Sequence, residues 1–144
     1  MRKLYGFLAL FVLMASSVFA TVTTLSPDNL AMASTDVKIV QFCMNSSLDH
    51  LVPIVGATLV VGDVCQDVNG LEGCQFPADT DKSASGDQFD VTVLNDALTD
   101  ANGCEDVQLD TDLAGGVFYY TINGHIGAVD STPDGSETGR VFVP

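Results

Sequence analysis

Short runs in which apolar and polar residues alternate recur along most of the chain. In residues 88–93, three apolar side chains alternate with three polar ones, and residues 107–111 follow the same pattern. Alternation with a period of two predicts strands with one buried face and one solvated face. Residues 37–44 are β-branched or aromatic and apolar on nearly both faces, which predicts a central strand. Residues 117–122 form another aromatic and β-branched run.

Turn residues separate these runs. A strand over 57–61 is predicted to end at Gly62-Asp63. Asn123-Gly124 is the strongest short-range hairpin signal, so we expect Tyr120 and its neighbours to pair with residues 126–129. Pro133-Asp134-Gly135 then makes a turn before a last strand over 140–143.

Seven or eight short strands joined by turns predict an all-β domain, an antiparallel two-sheet Ig-like sandwich over residues 35–144. The start of the mature chain leaves more choice. Residues 21–34 form either an N-terminal extension or a first strand, with a strand-like stretch at 21–25. Ser26-Pro27-Asp28 begins either a short helix that reaches Ala33 or a plain loop.

The first 20 residues have the order of signals of a secretory leader. Arg2 and Lys3 precede an apolar run over 4–15 and a small-residue stretch that ends at Ala20. A retained membrane anchor is the alternative, but the run is shorter than the roughly 20 residues that span a bilayer. We therefore predict a signal peptide, 1–20, cleaved after Ala20, and a mature chain of 124 residues that is secreted or at the cell surface without membrane insertion.

The four cysteines of an exported chain predict two disulfides. Of the three pairings, we favour Cys65 with Cys74, because the glycines between them let the chain turn back, and this leaves Cys43 with Cys104. A zinc site is the alternative, but the nearest pair is spaced more widely than the usual C-x₂₋₄-C hook.

Charge narrows the choice of partners. After cleavage three basic residues, Lys38, Lys82 and Arg140, face nineteen carboxylates, which gives a formal charge of −16. Such a field repels phosphate backbones, so nucleic acid is excluded as a partner. The acidity serves either solubility, which we favour, or cation binding.

Calcium is the best metal candidate, because it takes hard oxygen ligands from aspartates clustered with Asn and Gly in turns. Ordinary turn chemistry explains the same residues without an ion. Three segments supply the candidate ligands: Asp67, Asn69 and Glu72; Asp79, Asp81 and Asp87; and Asp100 with Asn102.

A glycosylation site is predicted at Asn45. Asn45-Ser46-Ser47 satisfies the sequon, and we expect it in a loop that follows the 37–44 strand. Coincidence is the alternative, because the motif is short.

Two segments resemble a known family. Residues 55–61, VGATLVV, and 111–119, TDLAGGVFY, are similar to the G-A-x-V-x-V and T-D-x-x-G-x-F/Y pattern of carboxypeptidase-regulatory-like and related bacterial or archaeal Ig-like surface domains. The resemblance implies a non-catalytic sandwich that serves as an adhesive, spacing or assembly module.

No catalytic constellation stands out. The chain has no G-x-S-x-G elbow, and its cysteines are assigned to disulfides. Of the two histidines, His50 lies in a loop, and His125 is expected to be an exposed turn residue without a catalytic role. We therefore predict that the protein is not an enzyme.

Three functional hypotheses follow. The first is a secreted or cell-surface structural or adhesion module that contacts protein partners or assembles with itself. The second is a subunit of a pilus-like extracellular filament, in which residues 21–34 add a strand to a neighbouring copy. The third is a calcium-dependent carbohydrate-binding module.

Overall fold

Strands make up the regular structure of the residues described below. A computed structural model describes residues 20–24, 29–47, 52–66, 89–112 and 116–144. No helix in these ranges is long and apolar enough to cross a membrane. The strands are β1 (Ala20–Thr24), β2 (Asn29–Ala31), β3 (Val37–Ser46), β4 (Thr58–Gln66), β5 (Phe89–Val93), β6 (Cys104–Thr111), β7 (Gly116–His125) and β8 (Gly135–Val143).

The strands form two sheets of four. The first has the order β1-β3-β6-β5 and the second has the order β2-β8-β7-β4. All pairs are antiparallel except β2 with β8, which is parallel. The prediction of an all-β, two-sheet domain is therefore confirmed, with one parallel pair that the sequence analysis did not anticipate.

The sheets bury one shared apolar layer between them. In β6, Val107 and Leu109 point into this layer, while the intervening Gln108 stays partly exposed. Aromatic rings then connect the sheets. Phe42 of β3 meets Tyr120 of β7 edge-on at 6.0 Å between ring centroids, and Phe89 of β5 stacks on Phe118 of β7 at 5.3 Å. Such contacts add specific geometry to the hydrophobic burial that holds the two sheets together.

Tyr120 needs a neighbour without a side chain. Gly139 lies directly opposite Tyr120 on β8, and a Cβ atom at Gly139 would overlap the Tyr120 ring. Burial first, and then the Glu137 carboxylate, raise the pKa of the Tyr120 hydroxyl above its ordinary value. The phenol therefore stays neutral inside the protein.

The predicted Asn123-Gly124 hairpin is wrong. Both residues lie within β7, where Gly124 pairs with Leu59 of β4 and Gly135 of β8. A Cβ at Gly124 would lie 2.7 Å from the Met44 sulfur in the facing sheet, so this glycine permits close packing and does not form a turn. The chain reverses instead through residues 126–134.

The predicted end of the second long strand is also wrong. β4 continues past Gly62-Asp63 to Gln66, with a shift in register between Val61 and Val64. The irregularity is a β-bulge, which takes up extra residues and bends the strand. It lets exposed Asp63 remain in solvent while Val64 returns to the buried face.

The chain before β3 contributes to both sheets. β1 is the edge strand beside β3, and β2 is the edge strand beside β8. The helical alternative for residues up to Ala33 is wrong for residues 29–31, which form β2. Residues 25–28 lie outside the described residues.

The Cys43–Cys104 disulfide is present and joins neighbouring strands of one sheet. The Met44 amide donates to the Gly103 carbonyl at 2.8 Å, so the next pair, Cys43 with Cys104, is a non-hydrogen-bonded pair. Side chains at such positions approach closely across an antiparallel ladder. Cys65 lies in β4, whereas Cys74 lies outside the described residues, so their pairing remains a prediction.

We expect the Cys43→Ala/Cys104→Ala variant to lose stability. The bond closes a loop with a sequence separation of 61 residues, for which the chain-entropy model gives about 4 kcal/mol. Urea unfolding of the variant and the parent at equal pH would measure the difference. A variant as stable as the parent would show that the bond adds nothing to the pairing of β3 with β6.

Candidate functional site

His125 is buried, which corrects the expectation of an exposed turn histidine. It ends β7 with 4% of its surface exposed, because β7 continues through the predicted turn. Its Nδ1 atom lies 4.0 Å from an oxygen of exposed Asp130 and has no hydrogen-bond partner. His50 lies outside the described residues. A buried imidazole with little access to solvent is poorly placed to act on a substrate.

The predicted cation ligands Asp100 and Asn102 form a turn. One carboxylate oxygen of Asp100 accepts from the amides of Asn102 and Cys104 at 2.8 and 3.0 Å, and the other accepts from the Asn102 side chain. These backbone hydrogen bonds lower the pKa of Asp100. Both carboxylate oxygens of Asp100, a predicted calcium ligand, thus accept hydrogen bonds within the turn.

The other candidate ligands are not described. Among the residues that the structure describes, no group of three His, Cys, Asp or Glu side chains could hold a metal ion. The remaining predicted ligands lie outside those ranges: Asp67, Asn69, Glu72, Asp79, Asp81 and Asp87. Calcium binding by them remains a prediction.

The glycosylation sequon begins inside a strand rather than in the predicted loop. Asn45 belongs to β3, pairs with Thr21 of β1 and forms an isolated bridge with Pro53. Its side chain is partly exposed. Attachment of a glycan at Asn45 remains a prediction.

Three carboxylates line a cleft at one end of the sheets. The cleft has a volume of about 270 Å³, and we call it the acidic cleft. Asp90 of β5 lies directly opposite Asp110 of β6, and one Asp90 oxygen is buried without a hydrogen-bond partner. The residues that line the acidic cleft are Thr35, Phe89, Asp90, Asp110, Thr111 and Asp112. Burial first, and then the charges of Asp110 and Asp112, raise the pKa of Asp90.

The opposite end of the sheets presents exposed apolar side chains on three loops. Segment 56–59 connects these loops, because Gly56 donates to the Thr99 carbonyl at 2.9 Å and Thr58 pairs with both Leu98 and His125. The exposed apolar residues are Val52, Val55, Leu98, Ile126 and Val129. Apolar groups gathered in one region of a surface are typical of contact sites for other molecules.

The N-terminal segment, which we define as β1 and β2, lies against backbone that glycines leave open. A Cβ at Gly135 would lie 3.0 Å from the Val22 nitrogen and 3.1 Å from the Ala20 oxygen. A Cβ at Gly124 would lie 2.8 Å from a Val22 methyl group. The strand-like pattern of residues 21–25 is visible in the sequence, but these contacts are not, because the paired glycines are far away in the chain.

Comparison with known proteins gives structural likenesses only. No family model and no curated protein matches the sequence. The chain is similar to domains 4 and 5 of the S-layer protein SbsC, with a TM-score of 0.52 and 13% identity over 85% of this chain and 44% of that one. It is similarly close to SbsC domains 4–9, with a TM-score of 0.53 and 13% identity over 86% of this chain and 14% of that one.

These likenesses show the fold alone, because the sequence identity is low. The chain spans less than half the length of either SbsC structure. The resemblance to carboxypeptidase-regulatory-like domains therefore remains a hypothesis.

We expect Asp90→Asn to stabilise the protein at neutral pH. Like charges directly opposite each other on paired strands are destabilising, so removing one should raise the free energy of unfolding by about 0.5 kcal/mol. A raised native pKa means that the folded chain holds the proton more tightly than the unfolded chain does. The contribution of Asp90 is therefore complete below its ordinary pKa of 3.8 and is lost as the pH rises through the raised value.

The measurement is thermal or urea unfolding between acidic and neutral pH. Asp90→Asn should make the loss of stability with rising pH shallower. Asp63→Asn, which removes an exposed charge on β4 in the other sheet, is the matched control. Equal effects from the two variants would assign the change to net charge and contradict repulsion within the acidic cleft.

Proposed function

We propose that this chain is an exported, non-catalytic Ig-like structural module of the cell surface, released from a signal peptide at residues 1–20. The observation that carries the proposal is the strand order of the two sheets together with the division of the N-terminal segment between them. Export itself rests on the leader pattern and on the Cys43–Cys104 disulfide, which is typical of oxidising compartments.

The strand order favours an Ig-like topology. If β1 and β2 are two parts of strand A, then β3 to β8 are strands B to G in chain order. The sheets then have the orders A-B-E-D and A-G-F-C, which contain the ABED and CFG sheets of immunoglobulin domains. The cysteines differ from the antibody pattern, because Cys43 and Cys104 join strands B and E of one sheet.

The positions of the first and last strands suit a module in a series. Val22 of β1 lies beside Gly135, at the start of β8, where a Cβ atom would be 3.0 Å from the Val22 nitrogen. β8 then carries the chain to Val143, about 26 Å away at the usual rise of a strand. The mature N-terminus therefore lies at one end of the domain and Val143 at the other, an arrangement that suits end-to-end contact between copies.

The similar S-layer structures support the same role. Both are structures of consecutive domains of a surface layer protein. The 44% coverage of the structure of domains 4 and 5 is close to what one module of a pair would occupy. The exposed apolar loops at the end with the mature N-terminus offer a surface for contact with a neighbouring module.

Two observations favour a non-catalytic role over an enzymatic one. Cys43 and Cys104 are bonded to each other, so neither thiol is a nucleophile. His125 is buried, so its imidazole has little access to a substrate. The acidic cleft holds three carboxylates, but its pair on β5 and β6 is explained by cross-strand register.

Localisation on intact source cells tests the proposal. Protease treatment of whole cells should remove the protein, and mass spectrometry should find a mature N-terminus at Thr21. A cytoplasmic protein should survive the same protease treatment, and its loss would indicate lysis of the cells. Recovery of a protease-protected chain that retains Met1 would contradict export and the surface role.

A further inference from the structure

The N-terminal segment is a separable part of both sheets. Residues 21–24 of β1, which remain after the proposed cleavage, pair with β3, and three residues of β2 pair with β8. The rest of each sheet is continuous without the segment, as β3-β6-β5 and β8-β7-β4. Because both strands lie at edges and at the start of the described chain, the segment can leave its place without the chain being threaded through a loop.

The place that the segment occupies must nevertheless be filled. Val22 of β1 is 2% exposed and belongs to the core, and Met32, immediately after β2, is equally buried. Loss of the segment would expose the apolar layer and the unpaired edges of β3 and β8. A second copy of this chain carries the same strands and the same side chains, so it can fill the place with every pairing preserved.

Glycines shape that place for an extended strand. The β7 and β8 backbones approach β1 at Gly124 and Gly135, where a Cβ would lie 2.8 Å from a Val22 methyl group and 3.0 Å from the Val22 nitrogen, respectively. The contact at Gly135 is thus with a main-chain atom of β1, and the contact at Gly124 is with a side chain. The complementarity therefore depends on an extended backbone with valine at one position, and a neighbouring copy provides both.

The turn after the segment is a strained hinge. Thr35 has a φ of 59°, a left-handed conformation that is unfavourable for a β-branched residue. Hydrogen bonds hold this turn closed. The Thr35 amide donates to the Asp112 carbonyl at 3.3 Å, and the Thr111 hydroxyl donates to the Ala33 carbonyl at 2.7 Å.

Opening of this turn would relieve the strain. An extended backbone at Thr35 is the ordinary conformation for threonine, and it would direct the segment away from its own domain. Short hinges under strain favour the exchange of elements between copies for this reason. The closed domain has the strain, whereas an exchanged form with an extended Thr35 would not have it.

We propose that the N-terminal segment is exchanged between copies of this chain, with β1 and β2 of one copy pairing with β3 and β8 of the next. The hinge opens at residues 34–36. One-way exchange joins copies into a linear assembly, and reciprocal exchange gives a dimer. The proposal deepens the structural role inferred above, and it rests on that role only for its biological setting.

Cysteine trapping on the purified mature protein tests the exchange. Ala31 of β2 and Phe142 of β8 are paired in register and both exposed. Chains carrying Ala31→Cys are mixed at high concentration with chains carrying Phe142→Cys under mild oxidation, and peptide mapping then identifies the 31–142 bond. Exchange predicts a 31–142 bond between different chains.

Two matched proteins control the trap. Thr92→Cys is exposed on β5, at the far edge of the other sheet, and replaces Phe142→Cys to measure random collision. The double variant Ala31→Cys/Phe142→Cys verifies that the bond forms within one chain. The proposal would be overturned by two results together: the double variant forms the 31–142 bond within one chain, and the mixed single variants give no more disulfide-linked dimer than the Thr92→Cys control.

Variants at the hinge test the exchange independently, because sedimentation velocity measures their oligomeric state. Thr35→Gly removes the left-handed strain and should lower the equilibrium constant for exchange between copies about tenfold, which corresponds to about 1.4 kcal/mol. Ala97→Gly relaxes another left-handed residue, outside the hinge, and should leave the constant unchanged. Thr35→Pro cannot adopt the closed turn and should shift the protein to dimers and larger species.

The outcomes separate this proposal from the surface role. A folded Thr35→Pro variant that stays monomeric at high concentration would overturn exchange and leave the localisation result intact. A protease-protected chain inside cells would overturn the surface role without touching exchange in the purified protein.

Discussion

Burial of one apolar layer between two four-stranded sheets is the constraint on which the other features depend. Each sheet buries one apolar face against the other, and neither of these faces is stable in water alone. Ring contacts of Phe42 with Tyr120 and of Phe89 with Phe118 set the distance between the sheets. Glycines then become necessary where side chains would prevent that approach, as at Gly124 and Gly139.

The same layer explains how the N-terminal segment is used. Two packed open sheets leave edges on both sides, and exposed edges tend to pair with other chains. Here one segment covers the edge of β3 and the edge of β8 and adds Val22 to the core. The segment is thus essential to closing the domain, yet only a turn with Thr35 in a strained conformation connects it to the rest.

The sequence predicted the parts of the fold that follow from local pattern. Alternation identified β5 and β6, and the apolar run at 37–44 identified the internal strand β3. The Asn123-Gly124 hairpin and the exposed His125 failed together, because Gly124 is selected by close contact with Met44 rather than by turn geometry. Contacts across the two sheets are invisible to a local reading.

Pairing was predictable only where few alternatives existed. The Cys43–Cys104 bond could be predicted because four cysteines allow only three pairings. The acidic cleft could not, because it depends on the strand register that places Asp90 opposite Asp110. The three residues of β2 are too few for any periodicity, so their parallel pairing with β8 could not be foreseen. Register and edge order arise from tertiary packing, which a single sequence pattern does not specify.

Nuclear Overhauser contacts between Val22 and Met44 test the central claim, that the N-terminal segment completes the core at the edge of β3. These contacts are expected in the folded protein, because the two residues are paired and both are buried. In a mixture of isotope-labelled and unlabelled chains, the same contacts should also appear between chains. Absence of any Val22–Met44 contact in the folded protein would show that the N-terminal segment does not complete the core at β3.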